Sequence, residues 1–196
     1  WYGMVDTGAT GRSELKARDI VVAGTITDQG GVVKNVRSFE TGTANDMSGK
    51  KGWYVDLLTP PSDTPEGERM VGSQVVVGGS ILVASSIIPQ SSNCDVTGRG
   101  YVNAIDMFTG TAVTQPFFDA NGDGSFNYGD TLKNGTDADS PQIPVGSIDL
   151  GVGMPSDPTV LENLVVVGGS KGSTGSVGIK QTIQDGRISW REILKD

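Results

Sequence analysis

The residues best suited to chemistry in this sequence are the acidic and amide side chains of one stretch, DANGDGSFNYGD, which spans Asp119 to Asp130. Oxygen-bearing residues stand at its positions 1, 3, 5, 7, 9 and 12, and glycine stands at position 6. This spacing is typical of a calcium-binding loop, in which six to eight oxygen atoms surround a hard cation. The predicted ligands are Asp119, Asn121, Asp123, Ser125 through its main-chain carbonyl, Asn127 and Asp130.

Two features distinguish this stretch from the loop of a calcium sensor. The twelfth position holds Asp130 where glutamate is usual, so its carboxylate has a shorter reach toward the ion. The flanking segments, TAVTQPFF and TLKNGTDADSPQIP, are rich in β-branched and turn-forming residues and do not predict helices. We therefore expect a structural or tuning Ca²⁺ site, and the competing interpretation is a solvated acidic turn without a cation.

Composition restricts the remaining function classes. The formal net charge of −8 argues against a nucleic-acid partner, because the phosphates would be repelled. The absence of histidine excludes Ser-His-Asp and Cys-His catalysis and histidine-ligated zinc. No apolar run is long enough to predict a membrane span. The chain opens at Trp1 without a visible signal peptide, so we expect its targeting segment to lie outside it, and we expect Cys94 to pair outside it too.

Short β-branched runs between glycine- and proline-rich turns predict an all-β fold. Two hairpins are the strongest signals, SQVVVGGSILVAS with its turn at Gly78-Gly79 and DPTVLENLVVVGG with its turn near Glu162-Asn163. When the turns are aligned, the two hairpins match, and each would belong to a blade-like unit of four short antiparallel strands, roughly 40–50 residues long. This repeat predicts the blades of a β-propeller in one domain over 1–196, which is either part of a larger propeller or an open, incomplete one; a β-sandwich is the competing fold.

Two further groups of residues could do chemistry. Trp53 and Tyr54 could form a ligand-stacking platform, but aromatic residues in a strand are more often packed in the core. A pair of carboxylates could also serve hydrolysis. We expect instead that the four candidate aspartates begin turns at the surface. They are Asp106, Asp137, Asp139 and Asp149.

A family resemblance is carried by three segments in order: KKGWYVDL with GERMVGSQVVVGGSILVASSIIP, GYVNAIDMFTG with the acidic loop after it, and the ending GRISWREIL. Together they resemble the C-terminal part of the PilY/PilC-type proteins of type IV pili, over nearly the whole chain. The resemblance implies a modified β-propeller of quinoprotein-like blades with an EF-hand-type calcium loop at 119–130. It also implies a location at the cell surface, on the pilus tip or the outer membrane.

The same resemblance implies a calcium-binding, non-enzymatic module of type IV pilus biogenesis. Such a module supports pilus assembly, regulates extension and retraction, and promotes twitching motility and surface adhesion. Its implied partners are pilins and minor pilins, together with host or abiotic surfaces. Two alternatives stay open, a quinoprotein-like propeller enzyme and a metal-free surface adhesin or scaffold. The sequence has no RGD tripeptide, so integrin binding has no support.

Overall fold

The computed structural model describes residues 1–6, 11–90 and 98–180, and these residues form an all-β fold, as predicted. The only helical segments in these ranges are single 3₁₀ turns at Arg12–Glu14 and Tyr128–Asp130. The strands are β1 (Tyr2–Met4), β2 (Lys16–Arg18), β3 (Ile20–Thr27), β4 (Val33–Phe39), β5 (Gly52–Val55), β6 (Arg69–Met70), β7 (Val75–Val77), β8 (Ile81–Ile88), β9 (Arg99–Asp106), β10 (Phe118–Asp119), β11 (Thr131–Lys133), β12 (Gln142–Pro144), β13 (Ser147–Ile148), β14 (Thr159–Leu161), β15 (Leu164–Gly168) and β16 (Thr174–Ile179).

The largest sheet has seven strands in the order β3-β4-β13-β9-β8-β6, with β7 also paired to β8. A second sheet has the order β10-β16-β15-β14, a third has β1-β5-β2, and β11 pairs with β12. The two predicted hairpins are confirmed as β7–β8 and β14–β15. Within the described ranges the sheets do not close into a ring or barrel. No helix in those ranges is long and apolar enough to cross a membrane.

The seven-stranded sheet is covered on both faces, which explains why six consecutive residues of β9 are buried. On one face, Val36, Ile148 and Val102 are neighbours across three strands and pack with residues of the β10-β16-β15-β14 sheet. The opposite face packs Phe39 and Ile105 against the β1-β5-β2 sheet. The acidic loop starts from the sheet on the first of these faces.

Trp53 is a core residue, as its position in a strand predicted. Its side chain is 1% exposed, and its indole N–H donates to the carbonyl of Met107 at 2.9 Å. Gly3 and Gly110 lie directly against the indole ring, where a Cβ on either residue would overlap it. Trp53 therefore has a structural role, and its buried ring cannot serve as a platform on which a ligand stacks.

A buried ion pair lies on the face of the large sheet that also carries Phe39 and Ile105. Arg37 donates to both carboxylate oxygens of Glu68, at 2.7 and 2.8 Å, and each side chain is 1% exposed. Arg37 also donates to Thr59 at 3.0 Å and to Ser147 at 2.9 Å, and its guanidinium lies over the ring of Tyr101. One arginine thus fastens both ends of the proline-rich 59–68 segment to the sheet. The sequence does not reveal this pairing, because Arg37 and Glu68 lie 31 residues apart.

Removing one partner of this pair should be strongly destabilising, because it leaves a buried charge without compensation. We expect Glu68→Ala to lower the free energy of unfolding by about 3–5 kcal/mol, as measured by urea denaturation. Asp56→Ala is the matched control, because Asp56 pairs with Arg12 at an exposed site and should change stability little. Equal losses in the two variants would contradict the structural role of the buried pair.

A second arginine, Arg18, fastens the segment that follows β4. Its guanidinium donates to Asp46 at 2.7 and 3.0 Å, to Glu40 at 2.7 Å and to the carbonyl of Thr109 at 2.8 Å. The hydrogen bonds from Arg18 lower the pKa of the Asp46 carboxyl from its ordinary value of 3.8 to about 2. The ionised form of Asp46 is therefore favoured in the folded state.

This shift predicts a specific acid sensitivity. A carboxyl whose pKa is lower in the folded state stabilises the fold above its unfolded pKa. That contribution is lost as the pH falls through the folded pKa, here between about 4 and about 2. We expect the urea midpoint of the parent chain to fall more steeply over this range than that of Asp46→Asn, which cannot titrate at this position. Parallel pH profiles would contradict the assignment.

Candidate metal centre

The acidic loop leaves the end of β10, which pairs antiparallel with β16 through Phe118↔Ile179 and Asp119↔Gly178. The first predicted ligand, Asp119, is therefore held by a sheet and not by a helix. Gly178 leaves room beside it, because a Cβ there would lie 3.1 Å from the Cβ of Asp119. The loop ends in the 3₁₀ turn at Tyr128–Asp130 and continues into β11. This confirms the prediction that the loop lacks flanking helices.

The structure brings together the side chains at positions 1, 3 and 5 of the loop. The main-chain N–H of Asp123 donates to Oδ1 of Asp119 at 3.0 Å and to Oδ1 of Asn121 at 2.9 Å. The two oxygens thus lie within hydrogen-bond distance of one nitrogen. The side-chain amide of Asn121 donates to Oδ2 of Asp123 at 3.1 Å. Three of the six predicted ligands therefore converge on one side of the loop.

Positions 7 and 9 turn toward the same carboxylate. The N–H of Ser125 donates to Oδ1 of Asp123 at 2.7 Å, and this bond is the largest cause of the lowered pKa of Asp123. Side-chain hydrogen bonds from Asn121, Asn127 and Ser125 lower that pKa further. The carboxylate of Asp123 is thus bonded by three polar residues, which stabilise its negative charge.

Glycines make this convergence possible. Gly122 and Gly124 have φ of +69° and +79°, which side chains rarely adopt, and they bend the chain between the ligands. Gly129 lies so close to the side chain of Asn121 that a Cβ would overlap its amide nitrogen. The loop therefore encloses a small concave space, and a Cβ atom at Gly129 would intrude on it.

Asp130, at position 12, has its carboxylate bonded to the main chain of the loop. Its carboxylate is fully buried and accepts main-chain N–H groups from both ends of the loop. Oδ1 accepts from Ala120 at 2.7 Å and from Asn121 at 3.3 Å, and Oδ2 accepts from Asn127 at 3.1 Å. Burial raises the pKa of Asp130, and these N–H groups partly offset that effect. Asp130 closes the loop by hydrogen bonds.

A contact that the sequence did not predict joins the loop to the large sheet. The main-chain N–H of Gln29, in the turn between β3 and β4, donates to the carbonyl of Asn121 at 2.9 Å. Asp28 shapes that turn by accepting the N–H groups of Gly30 and Val32, each at 2.9 Å. No periodicity or motif connects these distant positions in the chain. The third loop position is therefore held by a hairpin from another sheet.

The donor set suits a hard cation, because every predicted ligand atom is oxygen and none is nitrogen or sulfur. In the described part of the chain, no three histidine, cysteine, aspartate or glutamate side chains form a group placed to hold a metal ion. With Asp130 turned to the main chain, the loop offers two carboxylates, Asp119 and Asp123, supplemented by amide and main-chain oxygens. This combination fits a Ca²⁺ loop of modest charge, in which ligand charge and rigidity set the affinity.

The other candidate aspartates behave as turn residues where their contacts are described. Asp106 accepts the N–H groups of Phe108 and Thr109, each at 2.9 Å, and Asp149 accepts that of Gly151 at 2.8 Å. Both arrangements are typical of aspartate at the start of a turn. The predictions for Cys94 and for the GRISWREIL ending concern positions outside the described residues.

Comparison with known proteins connects this geometry to a family. No family model matches the chain. A type IV pilus biogenesis factor, a PilY1 homolog of Xylella fastidiosa, is 33% identical over 202 aligned residues that cover 100% of this chain. A second PilY1 homolog match in that organism is 29% identical over 57% of the chain. The chain belongs to the PilY1 family.

The structural comparison gives the same PilY1-type fold. The crystal structure of the Pseudomonas aeruginosa PilY1 C-terminal domain aligns with 90% of this chain at a TM-score of 0.65 and 16% identity. The chain spans 36% of that domain and 15% of the length of the first Xylella relative. The resemblance stated from the sequence is confirmed, and the chain represents a small part of such proteins.

The closure of the loop by Asp130 can be tested by substitution. Asp130→Ala removes a buried acceptor from three main-chain N–H groups, and unsatisfied buried donors are costly. We expect it to lower the free energy of unfolding by at least about 2 kcal/mol in urea denaturation. Asp130→Asn is the matched control, because its amide oxygen preserves the shape and one acceptor, and it should cost less. A wild-type unfolding midpoint for Asp130→Ala would contradict this role.

Proposed function

We propose that this chain is a calcium-binding, non-enzymatic module of type IV pilus biogenesis. The observation that carries the calcium part is the convergence of side-chain oxygens of Asp119 and Asn121 on the main-chain N–H of Asp123, whose own carboxylate is bonded to Asn121 and Ser125. The likeness to relatives named as type IV pilus biogenesis factors supports the pilus part.

Ca²⁺ would supply positive charge and fixed coordination at this loop. Asp119, Asn121 and Asp123 would hold it with their side-chain oxygens, and Ser125 would hold it with its main-chain carbonyl. Asn127 and Asp130 complete the predicted set, with Asp130 acting first as the clamp that holds the loop ends together. Because Asn121 is bonded to the β3–β4 turn, an ordered loop would also fix that hairpin. The ion would thus stabilise the junction of two sheets.

The finer architecture that we propose is a modified β-propeller of quinoprotein-like blades, of which this chain supplies a part. The packing of a sheet on each face of the seven-stranded sheet, the antiparallel β10-β16-β15-β14 sheet on one and the mixed β1-β5-β2 sheet on the other, supports neighbouring blades. The chain spans 36% of the solved PilY1 domain that it resembles, which leaves room for further blades outside it.

The proposed setting is the bacterial cell surface, at the pilus tip or the outer membrane. Pilins and minor pilins are the proposed partners, and host or abiotic surfaces are further ones. In this setting the module would support pilus assembly, regulate extension and retraction, and promote twitching motility and adhesion. Ca²⁺ would act by stabilising the folded conformation of the loop, because a ligand stabilises the state that binds it.

One observation favours a second candidate, a metal-free surface scaffold. The hydrogen bonds of Asp130 already close the loop, and the N–H of Gly124 donates to Oδ2 of Asp119 at 3.0 Å. A loop satisfied by its own main chain has less need of a cation. The two candidates differ in one measurable property, the affinity for Ca²⁺.

Isothermal titration calorimetry with Ca²⁺ separates them. We expect one site on the chain and a melting temperature that rises with Ca²⁺ and falls with a chelator. Asp123→Ala should abolish the binding heat, because it removes the carboxylate shared by the other ligands. Asp139→Ala, an exposed aspartate outside the loop, is the matched control and should bind normally. Identical melting with and without chelator in the parent chain would support the metal-free scaffold instead.

The pilus role needs a separate test in cells. The same two substitutions placed in the full-length protein should differ, with Asp123→Ala changing the number of surface pili or their retraction and Asp139→Ala leaving both unchanged. Normal pili with Asp123→Ala, despite lost Ca²⁺ binding in the calorimeter, would contradict a role for the ion in pilus dynamics.

A further inference from the structure

A groove separate from the acidic loop lies where several strands of the large sheet end. It has a volume of about 610 Å³, a size typical of small-molecule sites. Its walls come from the segment after β4, the start of β8, the turn after β9 and the segment 112–117 that leads into β10. None of the predicted calcium ligands lines it. The groove is therefore a second concave feature with its own chemistry.

Neutral hydroxyl groups dominate the polar lining of this groove. They belong to Thr41, Thr43, Ser80, Thr109, Thr111 and Thr114. The hydroxyl groups of Thr109 and Thr111 are bonded to each other at 2.8 Å, so a ligand would use the other four. The side-chain amides of Gln115 and Gln142 add N–H donors, since their oxygens already accept from Lys180 and Thr131. A hydroxyl group can donate and accept at once, so it complements a ligand whose own groups do both.

The charged groups of the lining are largely engaged within the protein. Asp46 is bonded to Arg18 through both carboxylate oxygens, and Oδ1 of Asp106 accepts three hydrogen bonds from its own turn. Lys180 donates to the side-chain oxygen of Gln115 at 2.7 Å. Among the described residues, no arginine lines the groove, so this part of the lining lacks the fork that recognises phosphate or carboxylate groups. Because the charged groups of the lining are bonded within the protein, the groove is poorly suited to strongly anionic or cationic ligands.

Apolar surface alternates with the hydroxyl groups. Ile81, Val113, Pro116 and Pro144 also line the groove. A sugar ring presents hydroxyl groups at its rim and C–H groups on its faces, so it needs both kinds of surface from its site. A site built to bond ligand hydroxyl groups also discriminates against analogues that lack them.

We propose that this groove binds a neutral saccharide. Hydroxyl groups of the threonines and amides of the two glutamines would bond the sugar hydroxyl groups, and the proline and aliphatic side chains would contact its C–H faces. The proposal goes beyond the calcium-dependent role and does not depend on it, because the two sites share no lining residue.

The test uses nuclear magnetic resonance titration of the isotope-labelled chain with three neutral hexasaccharides: maltohexaose, cellohexaose and chitohexaose. We expect at least one to shift main-chain amides of the groove, including those of Thr43 and Thr114, at millimolar concentration. A heparin hexasaccharide, which is strongly anionic, should not shift them. If no neutral hexasaccharide shifts the groove amides, or if only heparin does, the proposal is overturned.

A double variant locates the binding. Thr43→Val with Thr114→Val removes two exposed hydroxyl groups of the groove without changing side-chain volume, and should weaken binding roughly ten-fold. Thr159→Val with Thr174→Val is the matched control, because these exposed threonines lie on β14 and β16 outside the groove. Wild-type affinity in the groove variant would overturn the assignment.

Discussion

The buried carboxylate of Asp130 is the constraint on which the acidic loop depends. A carboxylate removed from water must be compensated, and here three main-chain N–H groups provide that compensation. Two of these groups belong to the start of the loop and one belongs to its end. The hydrogen bonds that compensate the buried carboxylate therefore also fix the distance between the two ends of the loop. The other polar side chains of the loop lie around Asp123.

The sheets determine where that loop stands. β10 contributes only two residues, but its pairing with β16 and the packing of Phe118 in the core fix Asp119 at the end of a strand. On the other side, the β3–β4 turn holds the carbonyl of Asn121. The loop thus bridges two sheets that already pack through a shared hydrophobic core. Any ligand that orders the loop acts on this junction.

The sequence predicted the features that depend on local patterns. The hairpins at Gly78-Gly79 and Glu162-Asn163, the non-helical flanks of the loop and the burial of Trp53 all follow from residue type and short spacing. Features that depend on distant pairing were not visible. The insertion of the two-residue strand β13 between β4 and β9 is one example, because two residues carry no periodicity.

The side chains whose roles were missed show the same limit. Residue type gave no sign that Glu68 is buried, and the fold pairs it with Arg37, which lies on a strand distant in sequence. Asp130 has the spacing of a ligand, but its burial is decided by the core around Ala120 and Val145. A spacing motif specifies which residues can meet, and tertiary packing determines which oxygen atoms remain for a cation.

The most direct measurement is the anomalous diffraction of crystals grown with Ca²⁺, collected at a long wavelength where calcium scatters anomalously. The account predicts one strong peak surrounded by oxygen atoms of Asp119, Asn121 and Asp123, with the main-chain carbonyl of Ser125 beside it. An absence of anomalous density in the loop at saturating Ca²⁺, with the loop hydrogen bonds unchanged, would contradict it.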